Sequence, residues 1–189
     1  MNVHLAQGLQ KRIFEQLQAA YPHEAGGFLL GALEQDAIHI IEAVAIENTF
    51  AIEERHHRYA MKPADWSRLE DEADARGLAL IGYYHSHPNS PAVPSEYDRE
   101  HALPHFTYLI ASVVQDDSDP RAVDLRAWQL KADRSGFEPL ALDIIQSYKG
   151  GDSHRRRDVL SSDSCCLRQA QQRNHCATLS SKQTSKHDL

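Results

Sequence analysis

The chain has 189 residues, enough for one domain with a real core and too few for two large ones. Twenty Lys and Arg stand against 27 Asp and Glu, a formal net charge of −7, which argues against a general nucleic-acid binder because such a protein needs a basic face. No apolar run approaches a membrane span, MNVHLAQGLQKRIF lacks the apolar stretch of a signal peptide, and Cys165, Cys166 and Cys176 form no disulfide framework, so the chain reads as cytoplasmic.

Leu5, Leu9, Ile13 and Leu17 recur every four residues and predict an amphipathic helix that Tyr21-Pro22 ends. Gly26-Gly27 leads into a short strand, FLLGAL. The β-branched run Ala37–Ile46 predicts a second strand. Residues 48–59 are polar and loop-like. Pro63-Ala64-Asp65 opens a helix that runs to about Arg76, with Gly77 after it. Its Asp- and Glu-rich stretch, residues 65–74, reads as a wet helix face. Leu78–His87 is a buried strand, Ser95–Leu103 a short helix, Phe106–Val114 and Val123–Lys131 two strands, and Phe137–Leu142 a further one. This order predicts an α/β fold: a mixed, curved β-sheet with flanking helices.

Composition changes at Gly150-Gly151. Residues 150–189 carry seven Lys/Arg and four Asp/Glu, a charge of +3 that leaves −10 on residues 1–149. The segment is rich in Ser, Gln and Arg and has few large apolar side chains. It cannot bury enough surface to offset its ordering entropy. The expected organisation is a domain at 1–149 and a low-complexity, disordered tail at 150–189.

The chemistry lies in YYHSHPNSPAVPSEYD, residues 83–98. His85 and His87 are two apart at the end of a strand, so both imidazoles project to one side. Pro88 stops the strand. Asp98 follows Ser95 by three, on one face of the next helix. Two histidines and an aspartate make a three-ligand metal site with one position left over, the usual pattern of a catalytic zinc. Ser95 would then stand near the open position. The plainer reading is two half-exposed histidines and a helix N-cap, with Ser95 and Asp98 forming a capping box. His56, His57, His101 and His105 read as solvated side chains.

The same stretch, HSHPNSPAVPSEYD, resembles the JAMM (MPN+) metalloprotease signature H-x-H-x7-S-x2-D without a gap, and YPHEAGGFLLG resembles the upstream segment of its short prokaryotic members. The resemblance covers roughly residues 5–145. It implies the JAMM/MPN fold, which is similar to that of cytidine deaminases, and a zinc peptidase or isopeptidase with one Zn2+ per chain. It implies that His85, His87 and Asp98 bind the metal. Glu24 would act as general base on the metal-activated water and then as proton donor to the leaving amine. Ser95 would polarise the scissile carbonyl. The implied substrate is the C-terminal tail of a small ubiquitin-like or sulfur-carrier protein. Gly26 stands where many bacterial relatives have cysteine, which touches no implied ligand. Little chain separates Asp98 from the strand FTYLIASVV, which argues against a specialised polyubiquitin-chain enzyme. A non-catalytic scaffold subunit of the same fold is the competing expectation, and the complete ligand set weighs against it.

Overall fold

The computed structural model describes residues 1–48, 63–115 and 118–147. The loop expected at 48–59, beyond Asn48 itself, and the tail expected at 150–189 lie outside the described residues. In chain order the elements are β1 (Asn2–Ala6), α1 (Gln7–Ala20), β2 (Gly26–Leu33), β3 (Ala37–Ile46), α2 (Pro63–Ala75), β4 (Ala79–Pro88), α3 (Glu96–His101), β5 (Thr107–Val114), β6 (Arg121–Leu130) and β7 (Phe137–Ile145).

The expected mixed, curved sheet is present and closes on itself as a barrel in the order β1-β3-β2-β4-β5-β6-β7. β4 pairs parallel to β5, and β1 lies parallel to both β3 and β7. The remaining neighbours are antiparallel. Closure needs curvature, and β-bulges supply it by bending one strand and increasing its twist. The register slips once in β3 at Ile41, once in β4 at Ile81 and once in β6 at Val123.

The slip at Ile81 decides which way the rest of β4 faces. Ile81 and Tyr84 pack with the stripe of α1 formed by Leu9, Ile13 and Leu17. Leu80 and Tyr83 instead face the second cluster, around Phe106, Tyr108 and Leu130. By alternation, His85 and His87 share the face of Tyr83. Trp66 of α2 covers that face, packed edge-on to Phe28 and tilted against Tyr83 and Phe106, with ring centroids 5.3–5.8 Å away.

One element differs from the expected set. Residues 2–6 form a strand, where the Leu5-Leu9-Ile13-Leu17 spacing had placed Leu5 in a helix. Val3 and Leu5 alternate as fully buried strand positions, and the chain passes straight from Ala6 into α1. The last buried residue of the strand therefore falls in phase with the helix stripe. The other boundaries shift by a few residues, and Gly77, at φ +66°, follows α2 in the left-handed region open to glycine. Among the described residues, no helix is long and apolar enough to cross a membrane.

Leu109, fully buried in the middle of β5, tests how tightly this core is packed. Leu109→Ala is expected to lower unfolding free energy by about 2–5 kcal/mol, measured by urea denaturation at constant m-value.

Candidate metal-binding site

The end of β4 carries His85, Ser86 and His87, all buried. His85 Nε2 and His87 Nε2 lie 3.1 Å apart. Asp98, on α3, closes the group, with Oδ1 3.1 Å from His85 Nε2 and Oδ2 3.5 Å from His87 Nε2. One ligand atom from each of the three falls within 4.8 Å of the others.

The hydrogen bonds around the group settle how its rings present themselves. His87 Nδ1 sits 3.0 Å from the Pro91 carbonyl. A carbonyl only accepts, so Nδ1 carries the proton and Nε2 offers its lone pair to the centre. Pro91 lies in the loop between β4 and α3, and that loop is held by Trp128, whose Nε1–H donates to Ala92 O at 3.0 Å. Asn89, at φ +53°, starts the loop, and its backbone N–H donates to Val113 O of β5 at 2.8 Å, tying the loop to that strand.

Three hydrogen bonds join Asp98 to Ser95. Ser95 is the N-cap of α3 and makes a reciprocal capping box. Asp98 N–H donates to Ser95 Oγ at 3.1 Å, while Ser95 N–H and Ser95 Oγ–H both donate to Asp98 Oδ2 at 2.7 Å. The plainer reading of this serine as a helix cap is thus correct as far as it goes. The far end of α3 is held by Arg134, from the turn between β6 and β7. Its guanidinium donates to the carbonyls of Ala102 and Glu100 at 3.0 Å, satisfying acceptors that a helix leaves open at its C-terminus.

Glu24 lies between α1 and β2 and is 8% exposed, so it is not the exposed turn carboxylate that sequence alone would suggest. Two polar residues hold its segment. Asn48 Nδ2 donates to Glu24 O at 3.1 Å, and Ala25 N–H donates to Ser86 Oγ at 3.1 Å, with Ser86 N–H returned to Ala25 O at 2.9 Å. Ser86 is the middle residue of the HSH triplet, and it points away from its neighbours to anchor the carboxylate-bearing turn. Sequence reasoning gave no role to Asn48, Ser86 or Arg134. A polar residue inside a buried strand was the one available signal, and only for Ser86.

The electrostatics bind these groups into one unit. Burial pushes the Glu24 carboxyl above the usual carboxylate range; the charges of His85 and His87 pull it back only in part, and Asp98 adds to the rise. Burial pushes Asp98 the same way, but the His85 charge and hydrogen bond, with the bond from Ser95, outweigh it and hold Asp98 far below its ordinary value. Burial alone would lower His85; Asp98 and Glu24 reverse this and raise it. Carboxylates facing imidazoles in a buried cluster favour positive charge between them, and a divalent cation supplies it. Two imidazole nitrogens and one carboxylate are a donor set that suits zinc, with room for a fourth ligand.

His101 is exposed and stacks on Tyr97 at 4.0 Å, apart from the group. His56 and His57 lie outside the described residues.

A family model described as prokaryotic homologs of the JAB domain matches residues 6–131. A desampylase of Haloferax volcanii is 36% identical over 92 residues, which is 48% of this chain and 63% of that protein. The chain thus spans less than two thirds of the length of that curated relative. The solution structure of a protein from Salinibacter ruber has a TM-score of 0.58 and 31% identity, covering 82% of this chain and 97% of the other. The protein DSY2949 from Desulfitobacterium hafniense has a TM-score of 0.62 at 22% identity, covering 82% and 98%.

Proposed function

The chain belongs to the JAB-domain (JAMM/MPN) family, and from that membership we propose that it is a metal-dependent hydrolase of a peptide or isopeptide bond at the C-terminal tail of a small ubiquitin-like or sulfur-carrier protein. The observation that carries this reading is the convergence of His85, His87 and Asp98 at one point, with a buried glutamate coupled to them electrostatically. The name of the Haloferax volcanii relative, desampylase, supports a ubiquitin-like conjugate as the substrate class. The working domain in this proposal is residues 1–149, with 150–189 a tail outside it.

In the proposed reaction His85, His87 and Asp98 would hold one zinc ion. When bound, that ion acts as a Lewis acid toward a carbonyl and lowers the pKa of water to about 7. Glu24 takes the proton of the attacking water and passes it to the leaving amine. Burial raises its pKa above the ordinary carboxylate value, the direction that lets it hold the proton for the leaving amine. Ser95 turns its hydroxyl from Asp98 Oδ2 to the developing oxyanion, where one well-placed donor contributes about 10²–10³ in rate.

The test is cleavage of a ubiquitin-like or sulfur-carrier protein carrying extra residues after its C-terminal Gly-Gly, or the same protein joined to a lysine side chain. Release at Gly-Gly that needs metal supports the reading. Metal uptake with neither bond cleaved removes the proposed substrate class, and no uptake at the site removes the hydrolase.

Ser95→Ala separates the two uses of this serine. The lost cap is expected to cost about 1 kcal/mol in thermal or urea unfolding. If the hydroxyl also serves the oxyanion, kcat falls about 10²–10³-fold while metal content stays at the wild-type level. A fall in metal content that accounts for the whole loss of activity would reduce Ser95 to a holder of Asp98.

A further inference from the structure

A second pair of histidines lies well apart in the fold, on strands that the candidate site does not use. His4 of β1 and His39 of β3 are direct partners in the parallel register, and Asp143 of β7 is the partner of His4 on its other side. Val3 and Leu5 point into the core with Ile38 and Ile40, so His4 and His39 share the opposite face. The two rings meet in a T-shaped arrangement, with centroids 4.7 Å apart and planes crossing at 69°. Their Nδ1 atoms are 3.3 Å apart. The outer nitrogens each turn to a carboxylate: His4 Nε2 is 3.6 Å from Asp143 Oδ2, and His39 Nε2 is 3.3 Å from Glu34 Oε2.

Two neutral imidazoles leave a conflict in this arrangement. If both carry their proton on Nε2, as the two carboxylates favour, two Nδ1 lone pairs face each other at 3.3 Å. If one proton moves to Nδ1, that ring sets a bare Nε2 lone pair against a carboxylate. A cation between the Nδ1 atoms removes the conflict and leaves both outer Nε2–H groups on the side of the carboxylates. Carboxylates on the outer N–H of each histidine are the usual outer partners of metal-bound imidazole. The separation also fits: at a metal–nitrogen distance of about 2.0–2.1 Å, two tetrahedral ligands stand roughly 3.3–3.4 Å apart.

We propose that His4 and His39 form a second metal site, separate from His85, His87 and Asp98, that takes a divalent d-block cation such as zinc, nickel or copper(II). Imidazole nitrogen suits these ions, and hard oxygen-seeking ions such as magnesium are not expected there. His39 is nearly enclosed and His4 about a quarter exposed, so water reaches the remaining coordination positions from the His4 side. The ion would join β1 to β3 through side chains, across a pairing of only four residue pairs.

The experiment is a zinc titration of the full chain at fixed pH, followed by calorimetry and by metal analysis after gel filtration. The variants are His4→Gln, His39→Gln and Asp143→Asn. His4 and Asp143 are partly exposed, so their variants are expected to fold even if the His39 variant does not. Wild type is expected to take up one equivalent more than His4→Gln or His39→Gln. Asp143→Asn is expected to weaken that equivalent about 10–100-fold. The same equivalent should persist in His87→Ala, so the result does not depend on the fate of the hydrolase reading. Equal uptake by wild type and His4→Gln would show that the pair holds only a shared proton, and would overturn the proposal.

Discussion

Glu24→Gln is expected to leave metal content at the wild-type level and to lower hydrolysis by about 10²–10⁴-fold, the usual loss when a general acid–base group is removed. The substitution keeps the shape of the side chain and removes only the ability to take a proton. No atom of Glu24 belongs to the three-ligand group, so uptake of the ion should not change. The measurement pairs metal analysis with single-turnover cleavage. A variant that loses the ion as well as the activity would make Glu24 a ligand, and one that keeps the activity would move the base elsewhere. Stability carries a second signature in the metal-free protein. The folded-state pKa of Glu24 is raised, so the native state binds more protons than the unfolded chain between the two pKa values. Wild-type stability therefore falls as pH rises through that window, and Glu24→Gln should remove this part of the pH dependence.

His87→Ala is expected to remove the tight equivalent of metal and activity together. Losing an outer partner of a ligand already costs about 10–100-fold in affinity, so losing a ligand should cost more than 100-fold. A ligand that binds only the folded state stabilises it by about 4 kcal/mol at a thousandfold excess over Kd. Zinc at a concentration that fills only the tight site should raise the melting temperature of wild type and leave that of His87→Ala unmoved. Equal shifts in the two proteins would exclude His87 as a ligand. The variant also leaves the proton-bearing partner of Pro91 O missing, so the loop from Asn89 to Pro94 loses a tether that the metal-free wild type keeps. Comparing both proteins without metal removes that contribution from the reading.

The parts of the site that follow from local periodicity were legible in the sequence. Alternation along β4 sets His85 and His87 on one side, and a spacing of three sets Asp98 against Ser95 at the start of α3. Glu24 was not legible in this way. Its burial and its placement depend on Asn48 and Ser86, which stand 24 and 61 residues from the groups they bind, and no window of sequence holds them together. The resemblance to a family picked it out where physical reasoning on nearby carboxylates would have considered Glu96 or Glu100, both exposed. β1 was missed for another reason. Five residues are too short to establish a period of two, and their one core leucine before the helix fell in step with a period of four. Which face β4 turns toward the site after Ile81 also escaped, because a bulge is a property of the pairing and not of one strand.

The barrel closes by joining its first strand to its last, with Asn2 to Ala6 laid against Ala141 to Ile145. For a chain emerging from a ribosome, this seam is the final step. Until β7 is made, β1 and β6 each present an open edge, the kind of surface that recruits other chains. The contacts at the seam span nearly the whole domain in sequence, a topology that folds slowly because the loop must close before the pairing rewards it. The domain is thus at its most vulnerable just before it is complete, and its solubility in a cell depends on how quickly residues 137–145 reach their place.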